Sequence, residues 1–117
     1  MKNFVKKKWG SYEVINEGKK YTVKKLIVEP DGQLSLQSHK GRSEHWLVAQ
    51  GEAEVIINDE TFNLKENQHI FIPQGAKHRL ANRSDQTLIV VEMWFGEMLD
   101  ENAVSYTHLT LPTILRV

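Results

Sequence analysis

The chain has 117 residues, no cysteine, and 15 basic side chains balanced by 15 acidic ones. That length allows one domain with its own core, and the lack of cysteine excludes a disulfide framework, thiolate metal sites and a cysteine nucleophile. The neutral balance gives no electrostatic case for nucleic acid or an anionic membrane.

No stretch approaches the ~18 apolar residues of a membrane span. The N-terminus also lacks the apolar run of a signal peptide. A cytoplasmic globular domain is the expectation.

Residues 1–11 read as a polar arm, with Lys6-Lys7-Lys8 as a solvated run and Trp9 as a lone anchor. Tyr12–Ile15 is a short strand, and Asn16–Lys20 carries turn residues. Tyr21–Val28 is aromatic and β-branched, hence a strand, ended by Pro30-Asp31-Gly32. Gln33–His39 alternates Leu34 and Leu36 with polar residues and predicts a further strand. On it Gln37 and His39 share a face, about 7 Å apart by strand rise.

Lys40–Ser43 reads as a polar loop holding Arg42, and Glu44–Gln50 as the next strand. Gly51-Glu52 turns into the strand Ala53–Ile57. Asn58-Asp59 turns into Glu60–Leu64, and Lys65–Asn67 is a loop. His69–Ile72 is stopped by Pro73-Gln74-Gly75, a turn in which Pro fixes φ and Gly can take positive φ. His78–Asn82, a turn at Arg83–Gln86, and the apolar strand Thr87–Phe95 follow.

Eight or nine short strands without helical periodicity predict an all-β sandwich or barrel over residues 12–98. Residues 99–117 are expected to form a poorly packed tail. Leu88–Val91 and Ile70–Ile72 are apolar on both faces, and one core covers only one of them. A homodimer packed sheet on sheet is the expected cover; the alternative is the N-terminal arm folding across.

Gln37-x-His39, four residues, then Glu44 converge if two antiparallel strands carry them across a short turn. His78, just past Pro73-x-Gly75, can reach them from a neighbouring strand. Two imidazoles and a carboxylate on rigid strands suit one divalent ion. The amide oxygen of Gln37 is either a fourth ligand or a group that orients water.

These residues carry a resemblance. Gln37-x-His39, Glu44 and Gly51 are similar to the first cupin motif, with Gln in its first His position. Asn67, Pro73-x-Gly75, His78 and Asn82 are similar to the second motif, with its first Gly replaced. The resemblance implies a single-domain cupin jelly-roll β-barrel. Trp9-Gly10-Ser11-Tyr12, Leu34–Gln37, Arg42, Glu44-His45-Trp46, Glu66-Asn67 and His78-Arg79-Leu80 further resemble the cupin domain of type II phosphomannose isomerases. That likeness implies one zinc ion held by Gln37, His39, Glu44 and His78. The chain departs from this family at Lys40 and Gly41, where further histidines are usual, and over Ser105–Thr113.

Around that set, Arg42 is a candidate catalytic residue for a phosphate or a sugar hydroxyl. Trp46 shares the face of Glu44, and His45 faces away. His69 could approach the cavity from its strand start. Lys77 and Arg79 flank His78 and are expected to point outward. Tyr12 and Tyr21 are expected in the core, and His108 is not expected to ligate.

The resemblance implies an aldose–ketose isomerase acting on a sugar phosphate. The ligand set equally suits a copper- or iron-dependent oxidoreductase acting on a sugar or other small molecule, or a non-enzymatic sugar-binding module.

Overall fold

A computed structural model of the chain describes residues 4–97, Leu99 and, for the backbone, Ser105 and Tyr106. Eleven strands and no helix occur among the described residues. The rest of the expected tail, with His108, lies outside them.

The strands form two sheets. One contains β1 (Phe4–Lys7), β2 (Gly10–Glu17), β3 (Tyr21–Val28), β5 (Arg42–Gln50), β8 (His69–Ile72) and β10 (Leu88–Gly96). Their order across the sheet is β1-β2-β3-β10-β5-β8. The other contains β4 (Gln37–Ser38), β6 (Ala53–Ile57), β7 (Glu60–Leu64), β9 (His78–Ala81) and β11 (Ser105–Tyr106), in the order β11-β4-β9-β6-β7. The chain leaves β3 for β4 in the other sheet and returns as β5, which is separated from β3 by β10, so it wraps between sheets as a jelly roll does.

The core lies between the sheets. Leu26, Val28, Trp46, Val48, Ile72, Leu88 and Val90 from the six-stranded sheet meet Ala53, Val55 and Leu80 from the other. The long strands β3, β5 and β10 reach that core by period-two alternation. Along the three central strands the inward residues change character at one level. Val90 lies opposite Leu26 and Val48, whereas Glu92 lies opposite Lys24 and Trp46, and Trp94 opposite Thr22 and Glu44. One end of the sandwich is therefore apolar, and the other encloses buried charge.

The expected all-β jelly roll is what the chain forms, with four local differences. Gln33–Leu36 is not a strand; Leu34 N–H donates to the Leu80 carbonyl, and Gln33 makes one isolated bridge to Ala81. Alternation reports which side is buried, not whether a backbone finds a continuous partner. Arg42 opens β5 instead of lying in a solvated loop, and it is 3% exposed. His69 lies opposite Leu47 and is exposed, so it faces away from the cavity. Phe4–Lys7, read as arm, pairs with β2 and extends the sheet at its edge.

Candidate functional site

The polar end of the sandwich holds a cavity of about 250 Å³. Its wall includes Gln37, His39, Arg42, Glu44, Trp46 and His78. Glu44 comes from β5, His78 opens β9, and His39 follows β4. Register brings them together: Gln37 on β4 lies opposite His78 on β9. The Pro73–Gly75 turn presents β9 as expected. Gly75 takes φ 84°, and its N–H donates to the His39 carbonyl, tying the two motif segments together.

His39, Glu44 and His78 are all buried, and each offers a ligand atom within 4.8 Å of the others. Glu44 Oε2 lies 3.3 Å from His39 Nε2 and 3.9 Å from His78 Nε2. His78 Nδ1 is 3.0 Å from the Ala76 carbonyl, which can only accept, so Nδ1 carries a proton and, in the neutral ring, Nε2 keeps the lone pair. Arg42 Nη2 is 3.1 Å from His39 Nε2. A guanidinium can only donate, so this nitrogen accepts from Arg42 with the lone pair that a bound metal would take over.

Two imidazole lone pairs and a carboxylate oxygen thus converge in a buried space. Such groups repel one another unless a cation stands among them. The guanidinium of Arg42 supplies part of that charge. Its Nε donates to Glu44 Oε2 at 3.0 Å, and its Cζ lies 3.3 Å from the Trp94 ring centroid. The donor set fits a divalent metal: nitrogen and oxygen donors, no sulfur, and one of them tautomer-locked by a backbone carbonyl.

Trp46 Nε1 donates to Glu44 Oε1 at 2.8 Å, leaving Oε2 to face the histidines. Burial pushes the Glu44 carboxyl up, but His78, Arg42, His39 and the Trp46 hydrogen bond outweigh it and hold the group below its ordinary range. Gln37 is only half-buried, and its Nε2 donates to Ser35 Oγ at 3.0 Å. That bond leaves Oε1 as the other end of the amide.

The remaining candidates sort clearly. Trp46 is a cavity wall and His45 is exposed on the opposite face, both as expected. Tyr12 lines the cavity, whereas Tyr21 is exposed and donates to Asn16 Oδ1. Lys77 does not line the cavity, but Arg79, expected to point outward, does. Arg79 Nε is buried with no hydrogen-bond partner.

Two buried charged wall residues were not singled out from the sequence: Lys24 and Glu92, 4% and 5% exposed. Their signal was present. In Thr22-Val23-Lys24-Lys25-Leu26 and Val90-Val91-Glu92-Met93-Trp94, both sit on the parity of the buried apolar residues.

A family model described as "Mannose-6-phosphate isomerase C-terminal" matches residues 1–108. The chain belongs to this family.

Among curated relatives, the chain is similar to the alginate biosynthesis protein AlgA of Pseudomonas aeruginosa, 43% identical over 82% of this chain and 20% of the relative. It is also similar to the mannose-1-phosphate guanylyltransferase ManC of Salmonella typhimurium, 44% identical with the same two coverages. The chain thus spans about a fifth of the length of the curated relatives it matches. Among solved structures, it resembles the Cnp3 cupin domain of Schizosaccharomyces pombe, with a TM-score of 0.71 and 14% identity over 74% of this chain and 64% of that one. That likeness establishes the cupin fold of this family member. No helix among its described residues is long and apolar enough to cross a membrane.

Proposed function

We propose that this cupin is a divalent-metal isomerase that interconverts an aldose phosphate and its ketose, with mannose-6-phosphate as the first substrate to test. One observation carries the reading. Three buried donors, on His39, Glu44 and His78, converge on the wall of a small polar cavity in a chain whose family is described by that isomerase. The relative named as a mannose-1-phosphate guanylyltransferase supports a mannose phosphate over an unrelated sugar.

His39, Glu44 and His78 would hold the ion, with Gln37 as a fourth donor or as the group orienting a water. Zinc is the first candidate, and copper or iron suit the same donors. When bound, the metal supplies a Lewis acid for the sugar carbonyl and its adjacent hydroxyl. The chain's own side chains do the rest. Arg42 and the indole of Trp46 fix the Glu44 carboxylate from either side. Arg79, with its buried and unpartnered Nε, and Lys7 line the cavity and offer charge to a phosphate. Leu26, Leu34 and Leu80 close the floor with apolar surface.

The two-histidine, one-carboxylate donor set also favours a second reading, a copper or iron oxidoreductase acting on a sugar or another small molecule. A binding module is the third. Elemental analysis of protein purified without added metal, followed by NMR of mannose-6-phosphate incubated with the zinc-loaded protein, separates them. Fructose-6-phosphate formation supports the isomerase. A redox-active metal signal without isomerisation transfers the case to the second reading, and metal with no chemistry to the third. We further propose that the domain works as a homodimer.

A further inference from the structure

Glu92 lies in the middle of β10 with its side chain in the cavity that also holds His39, Glu44 and His78. It is matched by Glu44 on the adjacent strand β5. Each carboxylate belongs to a Glu-x-Trp triplet, Glu44-His45-Trp46 and Glu92-Met93-Trp94. In each, the indole two residues on donates to Oε1 of its glutamate, at 2.8 Å for Glu44 and 3.0 Å for Glu92. The antiparallel register sets Glu92 opposite Trp46 and Glu44 opposite Trp94. Two equally anchored carboxyl groups thus share one cavity.

Their surroundings then differ. Glu44 is paired with the Arg42 guanidinium, so part of its charge is compensated. Glu92 faces Lys24 across β3, and Lys24 is itself held between the rings of Tyr12 and Trp94, at 4.2 and 3.8 Å. Burial and then the charge of Glu44 push the Glu92 carboxyl up to about 8, against the pull of Lys24, Arg42 and the Trp94 hydrogen bond. Glu44 belongs to the candidate metal-ligand set, whereas Glu92 lines the same cavity outside that set, its Oε1 held by the Trp94 indole, and so is placed to act on a bound sugar.

We propose that Glu92 is the group that carries the substrate proton between C1 and C2 in the isomerisation. This rests on the isomerase reading above. The Glu92 carboxylate takes the proton from C2 of the aldose, and the C2–H electron pair forms the C1–C2 double bond. The C1 carbonyl oxygen becomes a hydroxyl by receiving the proton of the C2 hydroxyl. Glu92 returns its proton to C1 as the C2 carbonyl forms. Nothing enters or leaves, so no oxidant, reductant or further reactant is needed. The ionised form of a raised carboxyl is a stronger base than an exposed one.

The test uses zinc-loaded protein and mannose-6-phosphate in deuterium oxide. Four quantities are read: ketose formation, deuterium incorporation, zinc content and sugar-phosphate affinity by calorimetry. Glu92→Gln is expected to lower exchange and conversion together by roughly 10²–10⁴-fold, with zinc content and affinity within about twofold of the parent protein. Glu92→Asp, which keeps an acid, is expected to retain measurable exchange, and it serves if the Gln variant does not fold.

A parent protein that converts the sugar while Glu92→Gln does so equally well overturns the proton-carrier role alone. A parent protein that neither converts nor exchanges overturns the isomerase reading and this role with it. Recovery of exchange in Glu92→Gln on adding Lys24→Met makes Glu92 a counter-ion of Lys24 and also overturns the role.

Discussion

His78 is the residue on which the candidate metal centre turns. It brings the second motif to the first, its Nδ1–H is committed to the Ala76 carbonyl, and its Nε2 faces Glu44. Its ring packs edge-on to Trp46 at 5.6 Å, so the imidazole is oriented before any ion arrives. Removing it takes away one of three close donors and leaves the hydrophobic core untouched. His78→Ala is expected to lose most bound zinc by elemental analysis while keeping its β-rich circular dichroism. Full occupancy in that variant would remove His78 from the ligand set.

A second expectation at this scale concerns acidity. Burial and the charge of Glu44 push the folded Glu92 carboxyl up to about 8, from an ordinary carboxylate value of 4.5. Between those values the folded chain binds more protons than the unfolded one, so stability falls as pH rises through the window. Glu44, held low, acts in the opposite sense, and its contribution is lost only as pH falls below the ordinary carboxylate range. In metal-free protein, Glu92→Gln is expected to flatten the decline in melting temperature between pH 5 and pH 8 relative to the parent chain. Parallel melting curves for the two proteins would mean that Glu92 titrates normally. The convergence of His39, Glu44 and His78 was legible in the sequence because motif spacing carries them. Glu92 and Lys24 were not, because a charge inside an otherwise apolar strand is easily assigned to the solvent side.

At the scale of elements, the strands that alternate cleanly were readable almost to their ends, and the turn chemistry agreed with them. Asn58 takes φ 55° at the tip of the β6–β7 hairpin, where the sequence placed a turn. The misread stretches failed for a different reason. Phe4–Lys7 gains its place only from pairing with β2, and its polarity shows nothing of that. Asn82, which ends the second motif, has an element-level role. Its side chain is fully buried, and Nδ2 donates to the carbonyls of Val28 and Gln86, at 3.0 and 2.7 Å. Its Oδ1 accepts from the N–H and Oγ–H of Ser84. One amide therefore joins the end of β3, the end of β9 and the turn leading into β10. Asn82→Ala strands buried polar groups and is expected to cost about 3 kcal/mol, read as a shift in urea midpoint. Zinc binding below the transition is expected to persist, because Asn82 is absent from the cavity wall. A loss of zinc at unchanged stability would move Asn82 from scaffold to site.

For the whole molecule, the question is what lies against the outer face of the six-stranded sheet. Phe71, His45, Met93 and Val23 lie side by side across β8, β5, β10 and β3, with Phe95 beside Tyr21 one step along. Phe71, Met93 and Phe95 are 49%, 43% and 53% exposed, a contiguous apolar area unusual for a surface with no partner. The described part of the N-terminal arm does not cover it, because β1 continues the sheet at the edge beyond β2. A second copy applied by a twofold axis would bury the same residues on both chains, which is how most small homodimers are built. A stable interface of this kind needs about 800 Å² from each partner, and the outer face of β3, β10, β5 and β8 is the broad apolar surface from which to draw it. Met93→Glu together with Phe95→Glu places four like charges across the twofold contact without touching the cavity. Sedimentation velocity is expected to show a dimer for the parent chain and a monomer for this double variant, with zinc content unchanged. A parent chain that sediments as a monomer at micromolar concentration would leave that face to some other protein. It would also separate the chemistry of the cavity from assembly, since every side chain of the candidate metal centre described here comes from a single chain.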